Sequence, residues 1–158
     1  MISLQPMTEE EFASFKPWMI EDYTNSLATN HHLPFDRARA GAAKAIDSLL
    51  SKGLSTPNQF LYSVMLGESC SETRIGYLWI EIDDEQKRCF IAQIYLDPDF
   101  RRRGFGRQVL EHLEARLKQQ AIDRIALHVF ASNRGALGLY TKMGYQTTGL
   151  HMQKLLGD

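Results

Sequence analysis

The sequence predicts a mixed α/β fold: a mostly antiparallel sheet flanked by helices, with one parallel pair of strands. Three observations predict it. Three apolar, strand-like runs follow each other between residues 60 and 96, joined by short polar turns. A strand–helix–strand unit comes next, over 90–96, 105–120 and 122–130, and a crossover of that kind makes its two strands parallel. Runs with apolar residues at helical spacing lie on either side. The chain's 158 residues suit a single domain, 1–158.

Residues 2–5 read as a short strand ended by Pro6. Thr8 followed by three glutamates is a capping box with acidic residues in the first helical turn. That helix should turn Phe12, Phe15, Met19 and Tyr23 inward, with a break expected at Pro17 and a loop over 28–34. A second helix is expected from Asp36 to about Lys52, with Ala40, Ala43, Ile46, Leu49 and Leu50 as its apolar stripe. Strands over 60–66, 75–82 and 90–96 form a meander. In the helix over 105–120, Val109, Leu110, Leu113 and Leu117 make the buried stripe. In the strand over 122–130, Ile125, Leu127 and Val129 face one way and Ala126, His128 and Phe130 the other. A further helix follows Ser132-Asn133 and stops at Gly144, and residues 145–151 onward read as one or two closing strands.

Composition narrows the function classes. Hydrophobic residues make up 44% and charged residues 23%, ordinary for a globular protein in water. A net charge of -1 argues against a general nucleic-acid partner. No apolar run is long enough to span a membrane, and the first residues carry no signal-peptide pattern. Cys70 and Cys89 lack metal or disulfide spacing, which fits a reducing cytoplasm. His31 and His32 are adjacent, so they point apart, and no metal is expected.

Between the strand over 90–96 and its helix lies Arg101-Arg102-Arg103-Gly104-Phe105-Gly106-Arg107. A helix start offers unpaired N–H groups and the positive end of a macrodipole, which suits phosphate. The two glycines let the backbone approach an anion closely. The spacing matches neither the dinucleotide fingerprint nor a Walker loop. On the later helix, Asn133 and Tyr140 share a face two turns apart, about 10 Å along the axis. That separation suits a long ligand held by an amide at one end and met by a phenol at the other.

Together these segments resemble the GNAT N-acetyltransferase superfamily. The first carries Arg101-x-x-Gly104-x-Gly106, and the second carries Asn133, Ala136, Leu139, Tyr140, Lys142, Gly144 and Tyr145 in the family's spacing. Residues 127–133 and 77–82 further resemble a small bacterial YycN-like subgroup. The resemblance implies a single GNAT domain with splayed central parallel strands. It implies acetyl-CoA as co-substrate, with the backbone of residues 102–107 on the pyrophosphate and the backbone of Ile94, Tyr95 and Leu96 pairing with the pantetheine arm. One of those N–H groups would polarise the thioester carbonyl and stabilise the oxyanion. Asn133 would bind the pantetheine arm, and Tyr140 would protonate the departing thiolate.

The attacking amine must be neutral, so a base or a water chain is needed. His128, Glu81 and Asp97 are the candidates, with Asp97 better explained as a turn residue beside Pro98. Tyr23, Asn30, His31, His32, Tyr77, Trp79 and Tyr95 are candidates for the acceptor pocket. The expected partner is a small-molecule amine or a peptide acceptor, with no nucleic acid and no membrane, and the protein is expected as monomer or homodimer. The competing expectation is a catalytically silent CoA-binding sensor or partner-binding module.

Overall fold

The computed structural model describes residues 1–157. One sheet runs in the order β1 (Ile2–Pro6), β2 (Gln59–Leu66), β3 (Thr73–Asp83), β4 (Arg88–Leu96) and β5 (Arg124–Leu127). Neighbours are antiparallel, except for the parallel pair β4–β5. The meander and the crossover are those the sequence predicts. The helices are α1 (Glu9–His31), α2 (Phe35–Leu49), α3 (Phe105–Gln119) and α4 (Arg134–Lys142). None of them is long and apolar enough to cross a membrane.

Alternate residues of β3 feed two cores, because successive side chains of a strand point to opposite faces. Tyr77 and Trp79 pack with Phe15 and Met19 of α1, with Ile46 of α2 and with Leu50 just after it. Leu78, Ile80 and Ile82 pack with Val109, Leu110, Leu113 and Leu117 of α3 and Tyr140 of α4. Each large apolar side chain buried this way contributes about 1.5–3 kcal/mol. The sheet is therefore sandwiched, with α1 and α2 on one face and α3 and α4 on the other.

Four local expectations change. First, α1 runs unbroken through Pro17 and absorbs residues 28–31. Proline removes one N–H donor, and here it sits on the exposed side of a helix strongly started by the reciprocal Thr8–Glu11 capping bonds. Glu11 also accepts from the Ser63 hydroxyl, which ties the helix start to β2. Second, the buried stripe of α2 is Ala38, Ala42 and Ile46, continued by Leu50, whereas Leu49 is 45% exposed. A strict i, i+4 row is narrow enough for alanines to bring the helix close. Third, β5 ends at Leu127, because β4 diverges beyond that point. Fourth, residues 145–157 form no strand, and Leu150 and Met152 are 80% and 91% exposed. A closing strand needs an edge to pair with, and β5 offers four residues before the chain leaves for α4.

Candidate active site

The site begins with a fault in the sheet. Trp79 pairs with Gln93, but Ile80 pairs with Ile91, so Ala92 is an extra, bulged residue in β4. A bulge increases local twist and bends the strand. The β4–β5 ladder runs from Arg88↔Arg124 to Ile91↔Leu127 and stops there. Beyond it, the β5-facing backbone edge of residues 92–96 has no strand partner among the described residues. A cleft of about 490 Å³ opens at this splay. Ala92, Gln93 and Ile94 form one wall, His128 and Phe130 another, Asn133 and Tyr140 of α4 a third, and Asp22 and Tyr23 of α1 cover the side.

The N-terminus of α3 lies just past the end of β4. Gly104 is its N-cap residue, with φ +83° and no side-chain capping bond. Its first turn holds no acidic residue, in contrast to Glu9, Glu10 and Glu11 in α1. The positive end of this helix dipole is therefore uncompensated by its own side chains. A Cβ on Gly104 would meet nothing within 4 Å, whereas one on Gly106 would stand 3.0 Å from Leu139 Cδ2 of α4. The two glycines thus do different work: Gly104 permits the left-handed turn, and Gly106 permits close packing of α3 on α4. Phe105 packs within the core on the α3 side.

Most of the arginines are structural as well as charged. Arg101 Nε donates to the Leu96 carbonyl at 2.8 Å, and its guanidinium lies 5.1 Å from the Tyr95 ring centroid. Arg103 lies over the rings of Phe100 and Phe105, and Arg107 pairs with Glu111 at 2.9 Å. Arg102 has φ +59° and makes no side-chain hydrogen bond or ion pair with the described residues. The loop is therefore shaped by its own cations, and the main-chain N–H groups of residues 102–107 donate no hydrogen bond among the described residues.

Asn133 caps α4, its side-chain oxygen accepting from Ala136 N at 3.2 Å. Its amide NH₂ makes no hydrogen bond among the described residues. Tyr140 is 7% exposed and packs 5.4 Å from Tyr145, and burial pushes its phenol up to about 12. It lines the cleft, and its hydroxyl has no hydrogen-bond partner among the described residues. His128 lies edge-on to Phe130 at 4.8 Å. Partial burial, then His151 and His31, hold its imidazole below the ordinary value.

Of the acceptor-pocket candidates, Tyr23, His31 and Trp79 line the cleft. Asn30 instead exchanges two hydrogen bonds with Ser132, fastening the end of α1 to the loop before α4. Tyr77 and Tyr95 belong to an aromatic cluster with Trp18. His32 ends α1 in a left-handed conformation. Glu81 pairs with Gln59 and Phe90, before the splay, and does not line the cleft. Asp97 stands at the β4 exit, 4.0 Å from Arg74. A larger groove of about 800 Å³ lies beyond β5, between α3 and residues 143–148, and none of the predicted site residues lines it.

Residues 9–145 match the acetyltransferase (GNAT) family. This chain is a GNAT protein. It is 31% identical to the uncharacterised N-acetyltransferase YdgE of Bacillus subtilis (strain 168), over 98% of each chain. It is 34% identical to the uncharacterised N-acetyltransferase YycN of the same strain, over 98% of this chain and 99% of that one. The crystal structure of Bacillus subtilis YycN superposes over 100% of both chains with a TM-score of 0.93. The PaiA N-acetyltransferase of Thermoplasma acidophilum, solved in complex with coenzyme A, shares the fold at a TM-score of 0.66 and 16% identity, over 92% of this chain and 90% of that one.

Within the GNAT fold, Asp22 and Gln93 also line the cleft, and neither is among the site residues expected from the sequence. Gln93 Nε2 donates to Asp22 Oδ2 at 2.9 Å inside the cleft. A signal was present: Asp22 falls at i+7 from Phe15 and i+3 from Met19, on the core-facing stripe of α1. A carboxylate on such a stripe is out of place for packing alone.

Proposed function

We propose that this GNAT protein is an acetyl-CoA-dependent N-acetyltransferase that moves the acetyl group to a primary amine of a small molecule or peptide by direct attack. One observation carries the reading. The β4–β5 ladder stops at Ile91↔Leu127 and leaves an unpaired strand edge leading to an uncapped helix N-terminus, with the Tyr140 phenol lining the opening. The open space at Gly104 and the bare first turn of α3 suit a diphosphate, and the unpaired edge suits an amide-bearing arm. Acetyl-CoA would supply an acetyl group activated as a thioester.

This chain's residues would do the rest. Backbone N–H groups at the start of α3 hold the diphosphate. The edge of Ile94, Tyr95 and Leu96, together with the Asn133 amide, positions the arm, although the Leu96 carbonyl is already engaged by Arg101. A β4 main-chain N–H near the Ala92 bulge donates to the carbonyl oxygen as charge builds there, a type of contact whose loss costs about 10²–10³ in rate. His128, neutral at pH 7 because its pKa is lowered, accepts the amine's proton. Tyr140 meets the departing sulfur. Burial lifts its pKa to about 12, so the phenol stays protonated at neutral pH, and the same burial raises the pKa of a thiolate formed beside it. The phenol donates a hydrogen bond to the sulfur and passes its proton to the thiolate as the C–S bond breaks, then regains a proton from solvent. The free thiols Cys70 and Cys89 suit a cytoplasmic setting.

A panel of amines and peptides, followed by release of free CoA thiol, tests the reading. Turnover is expected, and coenzyme binding without turnover on any amine would contradict it. The pH profile then tests the base. Protonation of the amine gives log kcat/KM a slope of about one below the amine's pKa. Protonation of His128 should steepen that slope to about two below His128's own pKa, which is lowered from about 6.5. His128→Ala is expected to remove the steepening and Glu81→Gln to leave it, because Glu81 lies outside the cleft. A profile that stays steep in His128→Ala excludes His128 as the base.

A further inference from the structure

Asp22 serves neither the packing of α1 nor the transfer steps. It is half-buried on the core-facing side of α1, where an ionised group loses part of its hydration, and burial lifts its carboxyl above its ordinary value against the opposing pull of Gln93 and Arg101. Its hydrogen bond among the described residues comes from the Gln93 amide, and it makes no ion pair. Arg101 is committed to the Leu96 carbonyl and the Tyr95 ring. Among the described residues lining the cleft, Asp22 is the one acidic side chain, and no Lys or Arg is present. The aromatic rings of Tyr23 and Phe130, 6.2 Å apart, border the same space.

An oriented carboxylate beside aromatic rings is a receptor for a cation. The attacking nitrogen is the wrong cation for it, because an ion pair would hold that nitrogen protonated and inert. We infer that the acceptor carries a second cationic group, an ammonium or guanidinium separate from the amine that is acetylated, and that Asp22 binds it on the α1 side of the cleft. The inference rests on the acetyl-transfer reading and adds the acceptor's class: a molecule with two basic nitrogens. Gln93, bridging Asp22 to the bulged part of β4, fixes the distance from this anchor to the reacting centre.

Four acceptors test it: 1,4-diaminobutane against n-butylamine, and an Ala-Lys peptide against an Ala-Ala peptide. The member with the second cation is expected to have at least a tenfold higher kcat/KM in at least one pair, and that pair identifies whether the source is a small diamine or a basic peptide. Asp22→Asn should erase the preference through KM, leaving the neutral partner's kcat/KM and the affinity for CoA within twofold. Calorimetry on CoA-saturated protein reads the same contact without turnover. Binding of the dication lost in Asp22→Asn sustains the anchor even if no acetyl transfer occurs. Equal losses for both members of each pair, no preference in the wild type, or no binding of either dication would overturn it.

Discussion

Gly104→Glu is expected to raise the Kd for CoA at least 100-fold while the protein stays folded. Gly104 holds φ +83° at the N-cap of α3, a conformation that costs an L residue roughly 1 kcal/mol. A Cβ there meets nothing within 4 Å, so the substitution strains the turn without a clash. For a chain of this size, a loss of that order lowers Tm by about 3 °C. The effect on binding is much larger. The new carboxylate would take the helix N–H groups that the diphosphate needs and would repel its charge. Gly104→Ala separates the two contributions: it carries the strain without the charge and should weaken binding far less. Thermal melts and calorimetry with CoA check both. Unchanged CoA affinity in Gly104→Glu removes the phosphate role from this loop.

Tyr140→Phe is expected to lower kcat about 100-fold and to move the KM for acetyl-CoA by less than about twofold. The ring, 7% exposed and packed against Tyr145, is retained by phenylalanine. Only the hydroxyl is lost, and it bonds to nothing in the described protein, so stability should be unchanged or slightly raised. A kcat within twofold of wild type would leave Tyr140 as a core residue. The two variants are complementary, since one empties the coenzyme end of the slot and the other leaves the slot filled but slow.

Much of this was legible in the sequence because it depended on local pattern. The capping box at Thr8, the alternation along β3 and the left-handed turn at Gly104 each act within a few residues of themselves, whereas Gly106 serves the packing of α3 on Leu139 of α4. The pairing of Asn133 with Tyr140 on α4 follows from helical period alone. What pattern could not supply were the features decided by packing across the sheet. The length of β5 depends on where β4 bends, and the bend comes from a bulge that shows only in the register with β3. Local signals placed a break at Pro17, but α1 packs along its length on β3 and α2, and tertiary contact overrode the missing donor. Glu81 and His128 looked alike as bases in sequence, and only the splay puts one in the cleft and leaves the other out. Asp22 was one acid among five in its helix until Gln93, 71 residues away, met it.

The central claim is that the helix start after β4 grips a diphosphate and so brings the sulfur of the coenzyme to Tyr140. A crystal structure of the protein with CoA measures this most directly. The account predicts diphosphate oxygens within about 2.7–3.2 Å of main-chain nitrogens at the start of α3. It also predicts the pantetheine arm along the open edge of β4, with the sulfur in hydrogen-bond reach of the Tyr140 hydroxyl. A diphosphate bound in the groove beyond β5, or a sulfur on the far side of the sheet from Tyr140, would contradict it.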